Sequence, residues 1–169
     1  MNLICKKWAY RGLQEMLGAD VCQRMVPMIT NDGWLEEVLR NMGATMHTGV
    51  PKGKHAQTLT DAEDLYLVVD NDNEMSWEAH AQHADRIYIL AGMVIVYTAG
   101  EMEIPSPGRH LSPSEDSFTP SAAEVRFPLQ KRELYEGDLM TIEPGVMHAH
   151  SGQAIMVFQK ERRSFGVTV

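Results

Sequence analysis

At 169 residues the chain is one ordinary domain, long enough to bury a substantial core, and its formal charge of -8 argues against a nucleic-acid partner. No basic cluster with interleaved aromatics follows a phosphate backbone, and no stretch approaches membrane-spanning length. An apolar fraction of 44% and a charged fraction of 22% are those of a soluble globular protein. The two cysteines, Cys5 and Cys22, form no CxxC, so they read as buried thiols in a reducing compartment. The start, MNLICKKWAYRG, holds no apolar run of signal-peptide length, and a cytoplasmic location is expected. Most of the 12 methionines suit gap filling in a core.

The first third has helical spacing. Leu13, Met16 and Leu17 recur on one face before Gly18, and Val21, Met25 and Met28 continue the pattern. Thr30 or Asn31 can cap a second helix carrying Trp34, Leu35, Val38 and Leu39, with Gly43 as its stop. Residues 1–43 are therefore expected to form a helical extension packed on the rest.

From Ala44 the pattern changes to period two. Gly49 to His55 reads as a loop, Ala56 to Leu59 as a short strand, Leu65 to Val69 as a strong strand and Asn71-Asp-Asn as a turn. Glu78 to His80 ends a strand, Asp85 to Leu90 forms the next, and Ala91-Gly92 turns into Met93 to Tyr97. Pro105 to Ala123, rich in Pro and Ser, reads as an exposed loop or insertion. Strands are expected again at Val125 to Leu129, Lys131 to Leu134, Leu139 to Glu143, His148 to His150 and Ile155 to Gln159, with an edge strand in the tail. Many short strands and no later helix predict a mainly β domain, a sandwich or barrel over 44–169.

Two stretches carry chemistry. In WEAHAQHADRIYILAG, Glu78 and His80 are two apart, so on a strand both point to one side with Cα atoms about 6 to 7 Å apart. That geometry lets a carboxylate and an imidazole share a metal. A tight turn at Ala81 to Ala84 would bring Asp85 back beside them. In EGDLMTIEPGVMHAH, Pro144-Gly145 turns toward His148.

The spacing Glu-x-His-x4-Asp-x6-Gly resembles the first motif of the cupin superfamily, with Glu78 standing where the first histidine usually stands. Gly137, Pro144-Gly145 and His148 resemble the second. The resemblance implies a double-stranded β-helix, a jelly-roll barrel in which the two motifs face each other. Glu78, His80 and His148 are then the metal ligands, with Asp85 as ligand or neighbour. Such a set suits zinc or another first-row divalent ion with one open position. His83 falls in the expected turn and reads as solvent-facing. His150 shares a face with His148 and is either a ligand or an inner-wall hydrogen bonder. His47 and His110 receive no role.

From about Leu35 to Lys160 the chain resembles a narrower group, the YhcH/YjgK/YiaL family. The matching pieces are Gly53-Lys54-His55, Asp64-Leu-Tyr66, Glu78-Ala79-His80, Asp85, Tyr88-Ile-Leu-x-Gly92, Glu136-Gly137-Asp138 and Pro144-x3-His148. Arg86 and Ala81 depart from that pattern, and AIMVFQK replaces a lysine-rich strand, so Gln159 or Lys160 takes its place. The resemblance implies a metal-dependent sugar anomerase, interconverting ring forms of a sugar or sialic acid. Asp85 is the first candidate for proton transfer and His55 the second, if its loop folds over the barrel mouth. Arg86, Tyr88 and Lys160 are the candidate substrate-binding residues, although an ordinary solvated charge for Arg86 and Lys160 and a core aromatic for Tyr88 are the favoured readings. The alternatives are a cupin-type sugar isomerase or epimerase, and a non-catalytic sugar-binding accessory subunit of a glycosidase. The expected partners are a small-molecule sugar and a second copy in a homodimer.

Overall fold

Ile87-Tyr-Ile is a run of β-favouring side chains, and it forms part of the longest strand among the described residues. The structure, a computed structural model, describes residues 12, 13, 15, 53–58, 65–72, 75–101, 116–118 and 129–162. Among these the protein is mainly β. The strands are β1 (Gly53–Thr58), β2 (Leu65–Asp72), β3 (Ala79–His80), β4 (His83–Glu101), β5 (Ser117–Phe118), β6 (Leu129–Tyr135), β7 (Leu139–Ile142) and β8 (Val146–Arg162). Gly12, Leu13 and Glu15 are helical, and no helix among the described residues is long and apolar enough to cross a membrane. The rest of the expected N-terminal helices, most of the Pro/Ser-rich segment and Val125 to Pro128 lie outside the described residues.

One six-stranded antiparallel sheet runs in the order β1-β2-β8-β4-β6, with β7 also paired to β4. β3 and β5 form a separate pair. Several expected boundaries differ. β1 begins at Gly53, so His55 is in a strand and not in a loop. Asn71 and Asp72 do not turn but pair with Gln153 and Gly152. Ala91-Gly92 does not end a hairpin, because β4 continues through it to Glu101. The two expected strands after Pro144-Gly145 are one strand, which lies between β2 and β4 over Gly152 to Gln159; Lys160 to Arg162 pair with β4, and the rest of the tail expected to form an edge strand lies outside the described residues. Glycines and polar residues mimic turn signals here, but pairing to neighbouring strands keeps them within the sheet.

The β4–β8 ribbon doubles back on itself. Asp85 pairs with Lys160 and Thr98 with His148. On a straight strand Asp85 and Thr98 would stand about 40 Å apart, at roughly 3.3 Å per residue. Yet Asp85 Oδ2 lies 3.3 Å from His148 Nε2. The kink falls where the register slips between Ile89 and Ala91, beside Gly92 at φ 83°. Across the ribbon, Gly152 packs so closely that an added Cβ would lie 2.5 Å from Met93 O and 2.9 Å from Val94 Cα. Both are backbone atoms of the kinked strand and cannot swing aside. Gly152→Ala is expected to destabilise the fold by about 2 to 4 kcal/mol, read by urea unfolding. An unchanged midpoint would show that the ribbon has room to relax.

Strand parity sorts the side chains. The inner face of the curl carries Ile87, Ile89, Val94, Val96, Ala154, Met156 and Phe158, a single buried cluster edged by Tyr66 and Val68. Each large side chain buried there contributes roughly 1.5 to 3 kcal/mol. Over part of the sheet the other face is buried too, with Leu65, Leu67, Val69, Tyr88, Leu90, Ile155 and Val157. The helical turn covers some of it, since the Tyr88 hydroxyl fills the space beside Gly12 and Leu13 is fully buried.

Candidate metal centre

The inner face changes character at one end of the curl. Glu78 and His148 form an antiparallel bridge, with Glu78 N–H donating to His148 O at 2.9 Å and His148 N–H to Glu78 O at 2.8 Å. Directly opposed residues share a face. His80 follows at the same parity, while Ala79 packs to the other side with Ala99 and Met147. The Pro144-Gly145 turn, closed from Val146 N–H to Glu143 O, is pinned to this piece by Gly145 N–H donating to His80 O at 2.8 Å. A bend at Ala81-Gln82 then returns the chain as β4, which places Asp85 under both histidines.

The result is one cluster. Glu78, His80, Asp85 and His148 each offer a ligand atom, and all four atoms lie within 4.8 Å of one another. Asp85 Oδ2 is 3.0 Å from His80 Nε2 and 3.3 Å from His148 Nε2, and Glu78 Oε1 is 3.6 Å from His148 Nε2. Donors around a tetrahedral ion with bonds of 2.0 to 2.1 Å stand about 3.3 Å apart, so these separations match a divalent ion's shell. Asp85 and His148 are almost fully buried, with side chains 3% and 1% exposed, whereas Glu78 sits at the rim with 38% exposed.

Two further observations fit a metal. Asp85 Oδ1 and His148 Nε2 are buried without a hydrogen-bond partner of proper geometry among the described residues, a costly state for polar atoms that a cation would relieve. The other ring nitrogens are already engaged: His80 Nδ1 donates to Asp116 O at 3.3 Å and His148 Nδ1 to Val146 O at 3.1 Å. Carbonyls only accept, so each Nδ1 carries the proton and each Nε2 is left to ligate.

Charge is strongly coupled without a metal. Burial alone would push the Asp85 carboxyl up, but the two imidazoles outweigh it and hold the group well below the usual carboxylate range. Burial likewise lowers His148, yet the Asp85 and Glu78 carboxylates raise it to about 10. His80 is raised because Asp85, then Glu78, overcome its desolvation. Glu78 is lowered because His148 and His80 overcome the effect of burial. A metal must therefore displace a proton from His148 at neutral pH. Apparent zinc affinity is expected to rise roughly tenfold per pH unit from neutrality toward that value, read by chelator competition at two pH values. A flat profile would contradict a proton held there. Metal-free stability has the matching signs. The His148 contribution is complete below its ordinary 6.5 and is lost as pH rises toward about 10, and the Asp85 contribution is lost as pH falls below its ordinary 3.8.

The other expected site residues are placed as follows. Lys160 pairs directly with Asp85 and so projects from the cluster's face, where its ammonium stands 5.1 Å over the Tyr66 ring. Arg86 and Tyr88 alternate with Asp85 and project from the opposite face. Arg86 donates to Gln159 Oε1 at 3.1 Å and Tyr88 meets Gly12, so neither is brought to the cluster. His55 pairs with Val69 in β1, and its side chain lies outside the described ones. His83 is half-buried, not solvent-facing, because Asp116 Oδ2 holds its Nδ1 at 2.8 Å. His150 is an inner-wall hydrogen bonder, its Nδ1 donating to Asp70 Oδ2 at 2.8 Å beside Phe158. Lys54 Nζ donates to the His150 carbonyl at 2.6 Å.

Asp70 and Asp116 were not anticipated. Asp70 carried a usable signal, since it continues the inward parity of Tyr66 and Val68 and a buried carboxylate demands a partner. Asp116 carried none, because its segment has no periodicity to place it.

No protein-family model and no curated protein matches the chain. Solved structures similar to it include ycfD of E. coli, with a TM-score of 0.43 at 17% identity over 61% of this chain and 26% of that one. L-ribose isomerase of Cellulomonas parahominis has a TM-score of 0.41 at 12% identity over 62% of this chain and 51% of that one. HppE with cobalt(II) and Tris buffer has a TM-score of 0.41 at 12% identity over 91% of this chain and 96% of that one. The chain spans about a quarter of the length of ycfD and half that of L-ribose isomerase.

Proposed function

We propose that the protein is a metal-dependent sugar anomerase with a cupin-like architecture, in which His80, His148 and Asp85 hold a divalent ion and Glu78 handles the substrate proton. The observation that carries this is the convergence of four ligand atoms within 4.8 Å on the inner face of a curled sheet. The sugar comes from the resemblance of the chain, from about Leu35 to Lys160, to the YhcH/YjgK/YiaL family. The wall beside the cluster is compatible with it, since Asp70, His150 and Lys160 supply polar groups of the kind a polyol needs.

The roles divide by burial. Asp85 has Oδ2 between both imidazoles and almost no contact with solvent, which suits a ligand better than a group that must meet substrate. Glu78 lies at the rim, where a substrate hydroxyl can reach it. A bound divalent ion would supply polarisation of a sugar oxygen and lower the pKa of a hydroxyl. Glu78 Oε1 accepts the anomeric hydroxyl proton as the ring C–O bond breaks. The protonated carboxyl then delivers that proton to the released ring oxygen, and closure on the other face of the carbonyl reverses both transfers.

Magnetisation-exchange NMR on free sugars, neutral and carboxylated, tests this reading. Faster exchange between α and β forms with zinc-loaded protein, lost in His80→Ala, is the expected result. Sugar binding without faster exchange would overturn it in favour of an accessory binding subunit, and solvent deuterium appearing at a sugar carbon would favour an isomerase.

A further inference from the structure

Among the described residues of the Pro/Ser-rich segment, Asp116 reaches the candidate metal centre. Asp116 precedes β5, which pairs with β3 so that Ser117 stands opposite His80. The Asp116 carbonyl accepts from His80 Nδ1 and from Ala81 N–H, each at 3.3 Å. Its carboxylate Oδ2 accepts from Gln82 N–H at 2.7 Å and from His83 Nδ1 at 2.8 Å. Asp116 is also the one non-glycine residue with positive φ among the described residues, at 52°. Aspartate tolerates that left-handed conformation better than most residues because its short side chain can bond locally.

These facts interlock. The left-handed turn aims the carbonyl at His80. The two carboxylate bonds anchor the turn to the Ala81-Gln82 bend, on which the return of β4 and thus the placing of Asp85 depends. We propose that Asp116 is a positioning residue for the metal centre: it fixes the ring orientation and Nδ1–H tautomer of His80, so that Nε2 faces the ion. The role of His83 follows from the same geometry, as a prop for Asp116 and not as a ligand. The inference rests on the metal reading of the cluster. Partners of this kind behind a ligating histidine typically change metal affinity by 10- to 100-fold.

Cobalt(II) titration of the full chain with a competing chelator tests it, followed by proton NMR of the cobalt-loaded protein. Wild type is expected to show two shifted, exchangeable imidazole N–H signals, one from His80 and one from His148. Asp116→Ala, which loses both carboxylate bonds and disfavours the left-handed turn, is expected to bind cobalt about 10- to 100-fold more weakly. It should lose the His80 signal by solvent exchange while keeping that of His148, a pattern that general loss of structure would not produce. Asp116→Asn, which tolerates the turn and keeps an acceptor for Gln82 N–H, is expected to restore most of the affinity and the second signal. Wild-type binding with unchanged affinity and both signals in Asp116→Ala would overturn the positioning role alone. Failure of wild type to bind cobalt would overturn the metal reading, and this proposal with it.

Discussion

Asp85→Asn is expected to lose more than about 100-fold in zinc affinity, beyond the range seen when only a supporting partner is removed. The substitution is nearly isosteric, so packing under the histidines is retained. What it removes is the one anion within 3.3 Å of both Nε2 atoms. An amide is a weak, neutral donor to a divalent ion, and its N–H₂ group can donate to an unprotonated Nε2 and so compete with the ion. The same variant should unfold more easily without metal. Removing one partner of a buried charge pair costs about 3 to 5 kcal/mol. His148 can escape part of that by staying neutral, so the lower figure is expected near pH 6. The difference from wild type should shrink as pH rises toward 10, where wild-type His148 sheds its proton as well. Chelator competition and urea unfolding at two pH values measure both effects. Wild-type affinity in Asp85→Asn would move Asp85 out of the ligand set.

Glu78→Gln should behave in the opposite way. Glu78 is the exposed member of the cluster, 3.6 Å from His148 Nε2 at the rim. Its amide keeps the shape and the backbone bridge to His148, which involves only main-chain atoms. Zinc affinity is therefore expected to fall by less than about tenfold, while anomeric exchange falls by 10² to 10⁴, the usual contribution of a positioned acid–base group. The two variants separate ligand from proton carrier: one loses metal first, the other loses exchange with the metal still bound. If Glu78→Gln exchanged sugar as fast as wild type, the proton would have to travel through another group on this face, such as Lys160, which pairs with Asp85.

Much of the site was legible because strand parity is local. Glu78 and His80 two apart, a short turn, then Asp85 at the head of an apolar run specify one face without any knowledge of the sheet. The partner across the curl, His148, was reachable through the Pro144-Gly145 turn. Parity also carried information that was not used: Arg86 and Tyr88 alternate with Asp85 and had to point away from it. Boundaries were less legible. Gly92 looks like a stop in the sequence but lies in a strand held by β8 on one edge. Turn-forming residues report local preference, and long-range pairing overrides it. The role of Asp116 depends entirely on a tertiary contact between a short β-pair and a bend, so nothing in its neighbours could disclose it.

On this account the inner face of the curl holds one divalent ion on His80, Asp85 and His148, with Glu78 beside it at the rim. The most direct measurement is the metal content of protein purified without chelator and again after reconstitution with zinc, for wild type and His148→Ala. One bound ion per chain in wild type and none in His148→Ala is the predicted result. Wild type that holds no metal after reconstitution, or His148→Ala that holds as much as wild type, would contradict it.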